Sequence, residues 1–363
     1  MNGAFIRSRR FDIYRDFSGC GTWGISMRKE ELENKGAIMN LSQLGERKII
    51  RIFEREFGKS KCRNAIVGIG DDACVVKFGS KLIAISTDAI YQKTHIPREM
   101  TPRQIGKFAV NVNLSDIAAM GAAPLGLVFS FALPSSLDEN FVGELSKGIN
   151  EACREHKTCV LGGDTKEHSE IVIAGTAFGS IENKILKRSA AKVGDLICIT
   201  GSIGSAAAGF YCLTKNLKIG ARKKLVKAAL EPKARVREGI LLGKHANACI
   251  DVSDGLAFSL HEIAKASKAG FLVYEEKIPV DKNVRKVAKL SGVPLREIVF
   301  HKGGEYELLF AISPKKFERM KEEIGSDVAV IGEIKKRGKK ILNVSGEREE
   351  LESRGYEAFI TKF

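Results

Sequence analysis

Four short apolar runs, far apart along the chain, each close on aspartate, and nothing else in the sequence constrains the fold as tightly. They are residues 65–70 before Asp71 and Asp72, 82–87 before Asp88, 159–163 before Asp164, and 248–250 before Asp251 and Asp254. Asp116 stands apart, in a helix-like segment running from Asn113 to Gly121. Short apolar runs closed by Gly, Ser or Thr read as buried strands. One aspartate at a strand end is ordinarily a turn or helix-capping residue, and Asp254 before Gly255 fits that role alone. Several together are different, because strand ends converge in space where α/β proteins place ligands. Carboxylates drawn together repel unless a cation lies between them. An all-oxygen set suits Mg²⁺, and Mg²⁺ in such a place points to a phosphorylated ligand.

Between the runs the pattern changes to helical periods. A helix is expected from Leu41 with Ser42 as its cap, and strands at 65–69, 73–78 and 82–86. Thr101 and Pro102 open a long helix that Gly121 closes, with Pro where its missing N–H costs nothing. A strand over 125–133, a helix over 137–156 and strands at 158–163 and 170–181 complete a first half. In the second half, a strand at 195–200 runs through Gly201–Ser205 into a helix of small residues. Backbone N–H groups at that helix start can bind an anion, although a tight turn needs glycine anyway. A strand ending at Asp251, a helix over 256–267 and a strand at 308–312 follow. Strands and helices alternate in both halves, so the class is α/β or α+β with two domains. The boundaries are an extension over 1–38 outside the fold, an N-terminal domain over 39–183 and a C-terminal domain over 184–363.

The 363 residues suffice for two domains, and at 44% apolar and 28% charged they can build a core. No apolar stretch nears the ~18 residues that cross a bilayer, and no signal-like segment follows the basic start. The eight cysteines show neither C-x-x-C nor zinc spacing and read as free thiols of a reducing cytoplasm. The net charge of +15 gathers notably over 215–237. Such a stretch can attract nucleic acid or nucleotides, or be a solvated helical face; no nucleic-acid-reading motif accompanies it. Gly68–Ala73 mimics a dinucleotide fingerprint, but a strand follows it instead of a helix. Gly58-Lys59-Ser60 lacks the first glycine of a P-loop, since Phe53 stands there. No nucleophile–base pair stands out, which suits direct phosphoryl transfer.

Six segments in order carry a resemblance: Gly-Ile-Gly-Asp-Asp-Ala (68–73), Ser-Thr-Asp (86–88) with a histidine seven residues on, Asn-Leu-Ser-Asp-Ile-Ala-Ala-Met-Gly-Ala (113–122), Gly-Gly-Asp-Thr (162–165), Asp-Val-Ser-Asp-Gly-Leu (251–256) and Gly-Gly-Glu-Tyr-Glu-Leu (303–308). Together, from about Met39 onward, they resemble the thiamine-monophosphate kinase family of the aminoimidazole-ribonucleotide synthetase-like superfamily. The resemblance implies transfer of the γ-phosphoryl of ATP to thiamine monophosphate, giving thiamine diphosphate. It implies a homodimer whose N-terminal mixed-sheet domains pair, joined to a C-terminal α/β domain. It matches Asp72, Ser86, Thr87, Asp88, Asp116, Asp164, Asp251 and Asp254 to positions holding several Mg²⁺ ions. Gly163, Asp164, Arg188 and Ser253 match ATP contacts, and His95, Glu305 and Tyr356 match contacts to thiamine monophosphate. Asp116, Asp164 and Arg188 are the expected catalytic set. An aromatic such as Tyr356 suits stacking on a ring, and Arg188 suits a bidentate grip on phosphate. The chain departs from the family in lacking an acid between Glu305 and Tyr306, in the stretch from Ala89 to Ile96, and in its extension over 1–38.

Two other readings stay open on these residues. One is a sister enzyme of the superfamily: aminoimidazole-ribonucleotide synthetase, selenophosphate synthetase or a hydrogenase-maturation enzyme. The other is an inactive basic relative that binds nucleic acid, with the steep salt dependence such binding carries.

Overall fold

The computed structural model describes residues 6–8, 11–15, 23–26, 39–60, 62–325 and 327–360. Of the described residues, those up to Arg55 together with 357–360 form one compact unit, and those from 56 to 356 form another. In the first, β1 (Ile6–Ser8), β2 (Phe11–Arg15) and β3 (Trp23–Ser26) pair in that order as an antiparallel sheet. The rest of the expected extension lies outside the described residues. The helix expected from Leu41 is two helices, α1 (Leu41–Leu44) and α2 (Glu46–Phe57). Gly45, at φ 71°, breaks them in a conformation glycine adopts without penalty. Asn40 rather than Ser42 holds the cap position, its N–H donating to Gln43 Oε1 at 2.8 Å.

The second unit carries two mixed sheets. The first contains β4 (Ala65–Val67), β5 (Cys74–Phe78), β6 (Lys81–Tyr91), β7 (Ala123–Leu133), β8 (Val160–Glu167) and β9 (Val172–Ile181), in the order β4-β5-β6-β9-β7-β8. β7 and β8 run parallel, the other neighbours antiparallel. The short helix α3 (Gln92–His95) follows β6. Helix α4 (Pro102–Ala119) starts as expected: Thr101 and Gln104 form a capping box and Pro102 takes the first turn. It packs against β6 and β9 and is covered by α5 (Glu139–Glu155). Leu114, Ile117, Leu127 and Phe129 are fully buried between helix and sheet, each worth about 1.5–3 kcal/mol.

The second sheet contains β10 (Leu196–Thr200), β11 (Ala248–Asp251), β12 (Gly270–Tyr274), β13 (Leu308–Ile312), β14 (Val328–Lys335), β15 (Lys339–Leu342) and β16 (Arg348–Glu350), in the order β11-β13-β10-β14-β12-β15-β16. Its helices are α6 (Ser205–Thr214), α7 (Arg222–Leu230), α8 (Val236–His245), α9 (Leu256–Ala266), α10 (Lys282–Ser291), α11 (Leu295–His301) and α12 (Pro314–Ile324). A single turn of 3₁₀ helix, Arg188–Ala190, precedes β10. Among the described residues no helix is long and apolar enough to cross a membrane.

Two strand ends are misplaced by the sequence reading. β6 continues through Asp88 to Tyr91, with Asp88 opposite Gly175, and β8 continues through Asp164 to Glu167, with Asp164 opposite Ser130. In both places polar residues replace the apolar run while backbone pairing goes on, and along β6 burial resumes at Ile90. Within the basic stretch 215–237 three cations are paired with acids: Lys224 with Asp281 (2.6 Å), Lys233 with Glu155 (2.6 Å) and Arg235 with Glu307 (2.5 Å).

Candidate active site

Asp72, Asp116 and Asp251 converge, with carboxylate oxygens lying within 4.8 Å of one another. Each comes from a different kind of element. Asp72 follows β4 in the turn before β5, Asp116 is in the last turns of α4, and Asp251 ends β11 in the other sheet. Asp251 accepts from Ser115 Oγ (2.7 Å) and Ser253 Oγ (3.1 Å), so adjacent residues of α4 serve two acids. Ser86 Oγ donates to Asp116. Arg188 grips Asp72 with Nη2 (2.8 Å) and Nε (3.4 Å), its own N–H donating to Asp71 Oδ1 at 3.2 Å. The Asp72 carboxylate is 1% exposed, so this pair is a desolvated one.

Like charge and burial act together here. Burial, then Asp251, Asp88 and Asp72, hold Asp116 well above the usual carboxylate range. Burial and Asp72 also raise Asp251, against the pull of its two serines and Arg188. Burial and Asp72 push Asp71 up to about 6. Burial and like charge resist the ionisation of Asp116 and Asp251, and three carboxylates drawn together in this way are a donor set suited to a hard divalent cation. The set therefore fits the expected Mg²⁺.

The pleat decides where the other expected ligands point. Along β6, Ser86 and Asp88 share the face that α4 covers, while Thr87 faces the opposite side, its Oγ1 3.1 Å from that of Thr176. Asn113 of α4 accepts from the Asp88 N–H at 3.0 Å, tying β6 to the helix. Asp164 is exposed on the face shared with Thr87 and pairs with Lys166 at 2.8 Å. Thr87 and Asp164 are thus not gathered with the three buried acids, and Gly163 lies on the other face of the edge strand β8, opposite Phe129.

The substrate-side expectations divide. Tyr356 donates its N–H to the carbonyl of Asp254 (2.8 Å), which brings the tail to the loop after β11. His95 ends α3, its Nδ1 taking the N–H of Tyr91 at 3.2 Å, and burial lowers its pKa. Glu305 occupies the start of α6 instead. Its Oε1 accepts the N–H groups of Gly204 (2.9 Å), Ala206 (3.1 Å) and Ala207 (3.5 Å). The N–H groups expected to bind an anion at Gly201–Ser205 are taken by this chain's own Glu305 carboxyl group, and burial pushes its pKa up to about 8.

Tyr306 and Ser115 escaped the sequence reading. Tyr306 sits at φ 54°, an uncommon conformation for a side-chain-bearing residue, and packs edge-on to Phe108. Burial, then Asp88, Asp251, Asp254 and Asp116, raise its phenol, so it belongs to the acid cluster. Both residues adjoin segments that were read, Ser115 beside Asp116 and Tyr306 beside Glu305.

Comparison with known proteins agrees with this geometry. Residues 70–181 match the AIR synthase related protein, N-terminal domain, and residues 192–345 the corresponding C-terminal domain. The chain is 38% identical over 297 residues to the thiamine-monophosphate kinase of Pyrococcus horikoshii, covering 81% of this chain and 89% of that protein. It is 35% identical over 319 residues to the thiamine-monophosphate kinase of Pyrococcus abyssi, covering 86% and 95%. The solved structure of AaThiL complexed with AMPPCP and TMP superposes with a TM-score of 0.77 at 28% identity, over 88% of this chain and 99% of that one.

Proposed function

The chain belongs to the thiamine-monophosphate kinases of the AIR synthase related family, and from that premise we propose how its residues perform the reaction. The enzyme is a phosphotransferase that uses ATP to phosphorylate thiamine monophosphate, giving thiamine diphosphate. The observation that carries the residue-level reading is the convergence of Asp72, Asp116 and Asp251 from two sheets and a helix.

Asp72, Asp116 and Asp251 hold Mg²⁺, with Ser86, Asp88 and Asp254 at the margin of that set. Bound there, Mg²⁺ neutralises the phosphate oxygens that would otherwise repel one another. Ser115 and Ser253 orient Asp251, and Ser86 orients Asp116. Arg188, aligned by Asp72, retains Nη1, 3.8 Å from Glu262, to turn toward a phosphate of ATP. The acceptor is a phosphate oxygen already able to attack, so no side chain need remove a proton, and transfer is direct and in line. Tyr356 and His95 line the approach for the thiamine portion. Glu305 acts indirectly by fixing the start of α6 and, through its neighbour, the position of Tyr306.

Thr87 and Asp164 lie on the sheet face turned away from α4, whereas Gly163, opposite Phe129, belongs to the other face. The face with Thr87 and Asp164 also carries Val76, Ile83, Ile85, Val128, Thr176 and Phe178, half-buried or more. An apolar sheet face of this kind suits pairing with a second copy of the chain. A homodimer would enclose Asp164 there, where it can serve ATP.

The direct test supplies ATP, Mg²⁺ and thiamine monophosphate to the purified chain, with free thiamine in parallel, and assays ADP and thiamine diphosphate. Diphosphate from the monophosphate alone is the expected result. ATP binding without either product would shift the assignment to a sister enzyme.

A further inference from the structure

Asp116 and Asp251 lie on elements of different layers, α4 against the first sheet and β11 within the second. One ion pair joins the supports of both. Arg235 donates to Glu307 twice, from Nε (2.6 Å) and Nη2 (2.5 Å), and Thr200 Oγ1 donates to the same carboxylate at 2.6 Å. The Glu307 side chain is 10% exposed, so the contact is largely withdrawn from water. Gly201, at φ 55°, leaves room for it, because a Cβ there would collide with both partners.

On the Arg235 side, two ties lead to α4. The Ala234 N–H donates to Asn111 Oδ1 at 2.9 Å, and Gly239 comes so close that a Cβ would collide with the carbonyl of Ala118, just past Asp116. On the Glu307 side, the backbone is zipped to the loop that carries Asp251, Ser253 and Asp254. The Val252 N–H donates to the Glu307 carbonyl (2.8 Å), and the Tyr306 N–H donates to the Val252 carbonyl (3.0 Å). Arg235 does not serve its own helix: it stands at the N-terminus of α8, the positive end of the dipole, where a cation is disfavoured. A buried ion pair is also weak support for a fold, since apolar side chains of similar volume often do as well. What a bidentate guanidinium–carboxylate contact does fix is distance and direction. Resting on the metal reading above, we propose that Arg235 and Glu307 are positioning residues of the kinase. They touch neither substrate nor ion, and their pairing sets the spacing of Asp116 from Asp251, Ser253 and Asp254.

The test removes the pair without stranding a charge, in Arg235→Met/Glu307→Leu. Its melting temperature in EDTA should stay within about 5 °C of wild type. Mn²⁺ is the probe, with free Mn²⁺ counted by electron paramagnetic resonance beside the full chain and a non-hydrolysable ATP analogue. The variant should bind Mn²⁺ at least about tenfold more weakly, the scale on which residues behind a metal ligand act. Half-saturating Mg²⁺ in turnover should rise by a similar factor, with kcat returning to within about threefold of wild type at saturating metal. Arg235→Lys keeps the charge and loses the bidentate grip, so it should weaken Mn²⁺ by at least about threefold, and it carries the test if the double variant does not fold. Wild-type Mn²⁺ affinity in the folded variants overturns the proposal. So does a lowered kcat with unchanged half-saturating Mg²⁺, which marks loss of folded enzyme alone. Failure of the metal reading would show elsewhere, in a wild-type chain that takes up no Mn²⁺, and would remove this proposal with it.

Discussion

Asp116 stands at the meeting point of two opposed demands. Burial and three neighbouring acids resist its charge in the free protein, yet that charge is what a cation would need. Asp116→Asn should therefore leave the fold intact, with a melting temperature in EDTA equal to or above wild type, while turnover of thiamine monophosphate falls at least ~10²-fold, the scale on which a fixed electrostatic contact acts. Scanning fluorimetry with a coupled ADP assay reads both, and near-normal turnover would remove Asp116 from the proposed metal set. Glu305 makes a prediction of a different sign. Its ordinary value of 4.5 rises to about 8 in the fold, so between those values the folded chain keeps a proton that the unfolded chain has lost. Stability should fall as pH rises from about 4.5 to 8 and level off above, by at most about 1.4 kcal/mol per unit from this group. Glu305→Gln retains an oxygen acceptor for α6 and should flatten that part of the slope. Urea unfolding at pH 5, 6.5 and 8.5 gives the comparison, and an unchanged slope would mean that Glu305 is ionised throughout.

The loop after β11 and the segment leading into β13 depend on close backbone approach. A Cβ on Gly303 would collide with the Ser253 carbonyl, and the neighbouring Gly304 N–H donates to that same oxygen at 2.7 Å. Gly303→Ala should destabilise the chain by about 1–3 kcal/mol, as overpacking does, and raise KM for both substrates by moving Ser253 and Tyr306. Wild-type KM values together with wild-type stability would show that the segment gives way freely. At this scale the sequence was legible where chemistry and geometry coincide. Asp72 and Asp251 do follow strands, Asp116 does sit near a helix end, and the Thr101–Pro102 helix start holds. Asp88 and Asp164 were misread because polar residues interrupt the apolar pattern without ending strand pairing. The Glu305 cap of α6 spans about a hundred residues and leaves no local trace. β14, a central strand of its sheet, was missed although residues 328–331 form an unbroken apolar run.

Across the whole molecule, the site exists only because two sheets meet, since Ser115 and Asp251 lie 136 positions apart. Motifs recorded that convergence without showing its path. The open face of the first sheet belongs to the same scale. Phe178→Glu places a charge in its middle and should shift the chain from dimer to monomer in light scattering, with loss of activity if Asp164 works only when covered. A dimer that survives the charge would place the interface elsewhere. One consequence reaches into how such a gene can change. β6 offers Ser86 and Asp88 to the acids and Thr87 to the other face, so its meaning is carried by parity. Many single substitutions along it can be absorbed, but adding or deleting one codon between Lys81 and Ile85 would exchange the two faces at a stroke. Length in that hairpin should drift only in steps of two.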